Sequence, residues 1–268
     1  ALKTRIVKFH YSDNMVNMEE ATEGRVFHSD VKQDISLATF PAFREADGTI
    51  RVDFNEGMGH VYKLGDWYSK DFSGHSHLSF EKYLTRHPLT DRKIKASSLQ
   101  EKDSVQVDQV GMLKAQSGKI LPVTVKYLLT PYVENTSFRK KESKNQNYFE
   151  VSPHIDKGTE KEHIYITHFD ISKPIVYTIS ANTPKEYIPA IKEGVLYWNK
   201  AFKREVLKVE VAEKEIEAPS FHHNIIQWVD YENAGRAYAD MQMDPRTGET
   251  LTTHVYLTSA FAVGSKKK

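Results

Sequence analysis

Apolar and polar residues alternate with a period of two along several short stretches of the first half of the chain. Arg5–Phe9, Thr49–Phe54, Val105–Val110 and Leu121–Leu129 all show it, the second following an Asp47-Gly48 turn signal. Side chains of an extended chain point to alternate faces, so this period predicts half-buried β-strands. With turn residues between them and little 3.6-residue periodicity, the region from Arg5 to about Tyr132 reads as an antiparallel β domain. Arg139–Asn147 is charged and polar without apolar periodicity, which predicts a surface loop and a domain junction nearby. A further strand pair is expected at 148–151 and 163–169.

After Lys173-Pro174 the pattern changes to alternating elements. Ile175–Ile179 reads as a strand, and Thr183-Pro184-Lys185-Glu186 has the spacing of a capping box that would open a helix. Ile188, Ile191, Val195, Trp198 and Phe202 then fall at steps of three and four, one stripe of a single long helix. On that stripe Trp198 is expected in the core beside Tyr197, with Trp228 also packed inside. Pro189 removes a helix hydrogen bond unless it sits in the first turn, so the regular helix is expected to start late or kink. Val206–Val211 and Asn224–Val229 read as two more strands. The stretches 236–243 and 250–257 flank Asp244-Pro245-Arg246-Thr247-Gly248, which predicts a hairpin. The order strand, helix, strand, strand, hairpin implies a helix packed on an open mixed sheet.

Composition narrows the classes. The 268 residues are 39% hydrophobic and 27% charged, as in a folded chain with a solvated surface. Thirty-seven Lys and Arg against 36 Asp and Glu leave a net charge of +1, which gives no large-scale attraction to nucleic acid. The absence of cysteine removes disulfides, thiolate metal sites and a Cys nucleophile from this chain. No apolar run reaches the ~18 residues of a membrane span, and Ala1–Arg5 does not lead into a signal core.

Lys173–Tyr177, Glu193-Gly194-Val195, Trp198–Phe202, Asn224–Val229 and Asp244–Glu249 occur in that order. Together they resemble the bacterial zinc-dependent metalloproteases that carry a metzincin-like catalytic domain behind an extra β-rich domain. The likeness covers about 170–265 and extends more weakly to Gln106–Val110 and Leu121–Tyr127. It implies an α+β chain: an antiparallel β-rich domain at 1–150, a junction at 151–170, and at 171–268 the incomplete first half of the peptidase domain, a mixed twisted sheet with one long helix. It implies that the sheet's antiparallel edge strand holds substrate extended, which here would be Ala237, Tyr238, Ala239, Asp240, Met241 and Gln242. The zinc of the complete enzyme would come from an HExxH helix. None of the twelve His begins that motif, so this chain is expected to stop short of the helix, to bind no zinc and to lack catalytic residues. The implied partners are the C-terminal portion carrying the zinc helix and a peptide or protein substrate, with no nucleic acid and no membrane span. The implied location is the periplasm, the cell envelope or the medium. The other reading is a noncatalytic β-rich module that binds protein or glycan.

Two further histidine groups compete for metal. His75 and His77 share one face if extended, with Asp71 and Glu81 as the nearest further donors, but a surface loop is the simpler reading. His222 and His223 would diverge to opposite faces before a strand, so a capping or solvent role is expected. The Ser259–Ser265 segment and Lys266–Lys268 read as an exposed loop. With no zinc helix packed beneath it, the sheet is expected to leave Ile175, Val209 and Ile226 on an uncovered apolar face.

Overall fold

The computed structural model describes residues 6–20, 35–57, 89–99, 104–114, 118–144, 148–151, 154–155, 161–216, 220, 222–230 and 237–260. His75, His77 and Lys266–Lys268 lie outside the described residues. The chain divides into two units, one of residues 1–137 with 151–165 and one of 138–150 with 166–268.

The first unit is antiparallel β-structure. Strands β1 (Val7–Ser12), β2 (Met15–Glu20), β3 (Ile35–Arg44) and β4 (Ile50–Val52) form a sheet in chain order. β1 and β2 join through Asp13 and Asn14 at φ 50° and 59°, the left-handed pair that a two-residue hairpin loop requires. Val16, Met18, Leu37, Phe40 and Ala42 make the core, and Phe40 is fully buried with its ring 4.8 Å from that of Phe54. A second sheet holds β5 (Leu89–Leu99), β6 (Val105–Lys114) and β7 (Ile120–Leu129). Tyr127 of β7 packs on the first sheet's core, and a two-stranded pair, β8 (His154–Ile155) with β9 (Glu162–His163), completes the unit.

The second unit is a five-stranded mixed sheet with a helical segment on one face. Its strands are β10 (Ile175–Ile179), β11 (Leu207–Val211), β12 (Asn224–Val229), β13 (Tyr238–Met243) and β14 (Thr250–Thr258). Across the sheet the order is β11-β10-β12-β14-β13; all neighbours are parallel except β13 and β14. A β-rich chain with one mixed sheet and a short helical segment is α+β, as the alternating patterns imply. In the registers of these pairs, Ile175, Tyr177, Leu207, Val209 and Ile226 share one face. Ile175, Val206 and Leu207 form a buried cluster, against which Phe169, Tyr177 and Val195 of the helical segment pack.

Three expectations fail in this unit. The face of Ile175, Val209 and Ile226 is not left bare: Ile175 and Ile226 are buried and Val209 half-buried, and Val195 of the chain's own helical segment packs on the cluster that contains Ile175. The capping box does not form. Thr183 Oγ1 lies 3.0 Å from Ser180 Oγ within a turn, and helix α1 (Ile188–Leu196) starts four residues after Pro184 with no side-chain cap. Pro189 then falls in the first turn, where a missing N–H costs nothing. The single long helix is two pieces, with α2 (Trp198–Phe202) following Tyr197. Lys200 N–H bonds to the Tyr197 carbonyl three residues back, so the phase of the apolar stripe is not carried across the joint. Trp198 is therefore 59% exposed and Tyr197 63%, instead of packing in the core.

The side chain that anchors this segment is Asn199. Its Oδ1 accepts the backbone N–H of Val206 at 2.9 Å and of Leu207 at 2.8 Å, while Nδ2 donates to the Leu207 carbonyl at 2.9 Å. Those donors enter the buried start of β11, where an unmade hydrogen bond is expensive. Asn199→Ala is expected to destabilise the second unit by about 2 kcal/mol, and Trp198→Ala by only about 0.5 kcal/mol. Denaturant unfolding of the two variants, followed in the second unit, gives that order; the reverse order would place Trp198 in the core.

Candidate functional site

The segment Ala237–Gln242 lies at one of the two described edges of the mixed sheet, opposite the edge formed by β11. Ala237 precedes β13, and Tyr238, Ala239, Asp240, Met241 and Gln242 lie within it. Among the described residues β13 pairs with β14 and with no other strand. Its position is set by the turn that follows. Asp244 N–H bonds to the Glu249 carbonyl and Gly248 N–H to the Asp244 carbonyl, with Gly248 at φ 80°. Asp244 Oδ1 also accepts Arg246 N–H at 2.7 Å. The turn is not a free loop tip: Asp244 and Thr247 are buried, and His168 N–H donates to the Gly248 carbonyl while its own carbonyl accepts Thr250 N–H. A hairpin tied down at its turn keeps β13 in one register.

That register sorts the side chains. Tyr238, Asp240 and Gln242 stand opposite Tyr256, His254 and Thr252, while Ala239 and Met241 stand opposite Val255 and Thr253 on the other face. Tyr238 stacks on Tyr256 with ring centroids 4.5 Å apart and planes 18° from parallel. Tyr238 is 54% exposed, Asp240 half-buried and Gln242 buried, so the strip opens to solvent toward its N-terminal end.

His254 lies beneath the strip and is buried. Its Nε2 accepts the Ser220 N–H at 3.1 Å, which leaves that nitrogen unprotonated. Burial pushes its pKa below the ordinary 6.5, although backbone hydrogen bonding at Ser220 and His223 and the nearby Asp240 carboxylate pull the other way. Burial, then Asp240 and Tyr238, raise the pKa of the Tyr256 phenol, so it stays neutral. On the opposite face, Thr253 Oγ1 donates to the Tyr177 hydroxyl at 3.0 Å, and Asn224 Oδ1 accepts the Thr253 N–H at 3.0 Å. Asn224 Nδ2 reaches the Val176 carbonyl, so one side chain braces three strands behind the hairpin.

His222 and His223 are exposed, and their backbone N–H groups both bond to Ser220 Oγ at 3.1 and 3.2 Å. Among the described residues no group of three or more His, Asp or Glu is arranged to hold a metal ion, and no helix is long and apolar enough to cross a membrane. Comparison of the chain with family models, curated proteins and solved structures finds no match. Counting outward from the turn would pair Asp240 with Thr253 and Tyr238 with Val255; a register shift between Gln242 and Met243 moves the pairing by one residue, to His254 and Tyr256, and residue order does not announce it.

The His254 environment has a pH signature. A folded-state pKa lowered below 6.5 means that the unfolded chain takes up a proton the folded chain refuses. The stabilisation is therefore complete above about pH 6.5 and is lost as pH falls toward the depressed folded value. The melting temperature of the second unit is expected to drop between about pH 7 and pH 5, and to drop less in His254→Gln. An equal drop in both proteins would remove His254 as the cause.

Proposed function

We propose that this chain is the N-terminal, substrate-holding portion of a zinc-dependent metalloendopeptidase, acting in the periplasm, the cell envelope or the medium. One observation supports the reading most: the sole antiparallel strand of the mixed sheet, β13, is one of its two described edges, the other being the parallel strand β11, and coincides with the segment that the resemblance assigns to substrate. An edge strand presents a row of backbone donors and acceptors, and an extended peptide satisfies them by pairing as a further strand. Pairing through backbone groups holds a peptide straight with little demand on its side chains, which suits a protease of broad reach.

The described residues offer zinc no three-donor set, and the sequence lacks His-Glu-x-x-His. In this proposal the metal and the water it activates belong to a segment outside the sequence, and this chain supplies binding and alignment alone.

Proline tests the edge directly, because it removes one backbone donor and successive residues of a strand point their N–H groups to opposite sides. Ala239→Pro and Asp240→Pro therefore fall in opposite phases. In one, the lost donor points away from β14: the variant should melt near the parent temperature and lose extended-peptide binding. In the other, the lost donor faces β14 and the hairpin itself should weaken. Titration of a labelled extended peptide with both variants reads the difference. Binding by the well-folded variant at the parent's affinity would contradict the proposal.

A further inference from the structure

We infer that the outer arc of α1 and α2 seats this chain on an anionic lipid surface. The inference stands apart from the peptide-holding role of β13 and rests on the exposed side of the helical segment.

The inward side of that segment is fixed. Val195 packs on the buried cluster of Ile175, Val206 and Leu207, and Asn199 bonds to the start of β11. Successive side chains of a helix turn by about 100°. Going round the helix from Asn199 therefore meets Lys200, Tyr197, Ala201, Trp198 and Phe202 in turn, and all five are exposed. Tyr197 is 63% exposed, Trp198 59% and Phe202 39%, and Leu196 of α1, next to them in the chain, is 39% exposed. Single apolar residues scattered over a surface need no account, but a contiguous patch of them marks an interaction site.

The composition of the arc favours lipid over protein. The core of a protein–protein interface is depleted in lysine, yet Lys200 lies on the aromatic arc itself, its Nζ 4.9 Å from the centroid of the Tyr197 ring. Trp and Tyr join an apolar body to a polar tip and concentrate where hydrocarbon meets headgroups, and a lysine beside them extends its charge outward to the headgroups. The sign of the lipid follows from the flanking charges. Lys200, Lys203 and Arg204 are all exposed and outnumber the exposed acids of the same stretch, Glu193 and Glu205. With a net charge of only +1 over the whole chain, attraction to an anionic bilayer is confined to such a patch and acts within about one Debye length.

The test sediments the whole chain with vesicles of phosphatidylcholine alone and with vesicles of equal parts phosphatidylcholine and phosphatidylglycerol. The chain should pellet with the anionic vesicles, stay in solution with the neutral ones, and be released by added salt. Replacing Tyr197 and Trp198 together by alanine should weaken binding roughly tenfold, through the apolar area no longer buried. Lys200→Glu with Lys203→Glu should abolish the response to phosphatidylglycerol. All four side chains are exposed, so both double variants should melt near the parent temperature. If either unfolds, Trp198→Phe decides: it should still bind, but without the blue shift of tryptophan fluorescence that insertion of Trp198 gives the parent. Equal binding by the parent and the folded double variants, equal binding to neutral and anionic vesicles, or a blue shift that survives Trp198→Phe would overturn the inference. Failure of the parent to bind either vesicle would overturn it too, and capture of an acidic polypeptide in that case would assign the arc to a protein partner.

Discussion

Strand β14 holds the second unit together. It pairs in parallel with β12 on one side and antiparallel with β13 on the other. Every feature of the candidate site follows from that double pairing. Parallel contact with β12 brings Thr253 to Asn224 and Tyr177, and antiparallel contact with β13 sets Asp240 over His254. The inner side of β13 is satisfied by β14 and its outer side remains an edge among the described residues. Without β14 the edge strand would have neither a register nor a defined face.

The turn at 244–248 transmits this order to the edge. Its carbonyls and N–H groups bond to one another and to His168, and Asp244 and Thr247 are buried within it. A buried turn is unusual for a hairpin tip, which is ordinarily solvated. Here the turn is docked, so the strand that leaves it does not slide against β14.

Much of this architecture could be read from residue order because strands and hairpins are specified locally. Alternation marked β6 and β7, short apolar runs marked β10 and β12, and the Pro-and-Gly turn marked the β13–β14 hairpin. The Asp13-Asn14 turn was equally local, a pair suited to two left-handed residues that follows the alternating Val7–Ser12. What residue order did not disclose was non-local. The parallel pairing of β10 with β11 and β12 depends on crossovers, not on any single stretch. The exposure of Trp198 depends on a change of hydrogen-bond step at Tyr197, which the spacing of apolar residues conceals. At the site, the edge segment was legible through the resemblance and the hairpin. The protonation of His254 was not, because it depends on burial and on the Ser220 N–H that reaches its Nε2 from 34 residues away.

Backbone hydrogen exchange, resolved by residue across 238–242, tests the central claim most directly. In the free chain the amides of alternate residues should already be protected by β14, while those between them exchange fast. On adding a saturating extended peptide, the fast set should slow and the protected set should change little. Slowing elsewhere in the chain, with the fast amides of β13 unaffected, would contradict the account of β13 as the strand that receives substrate.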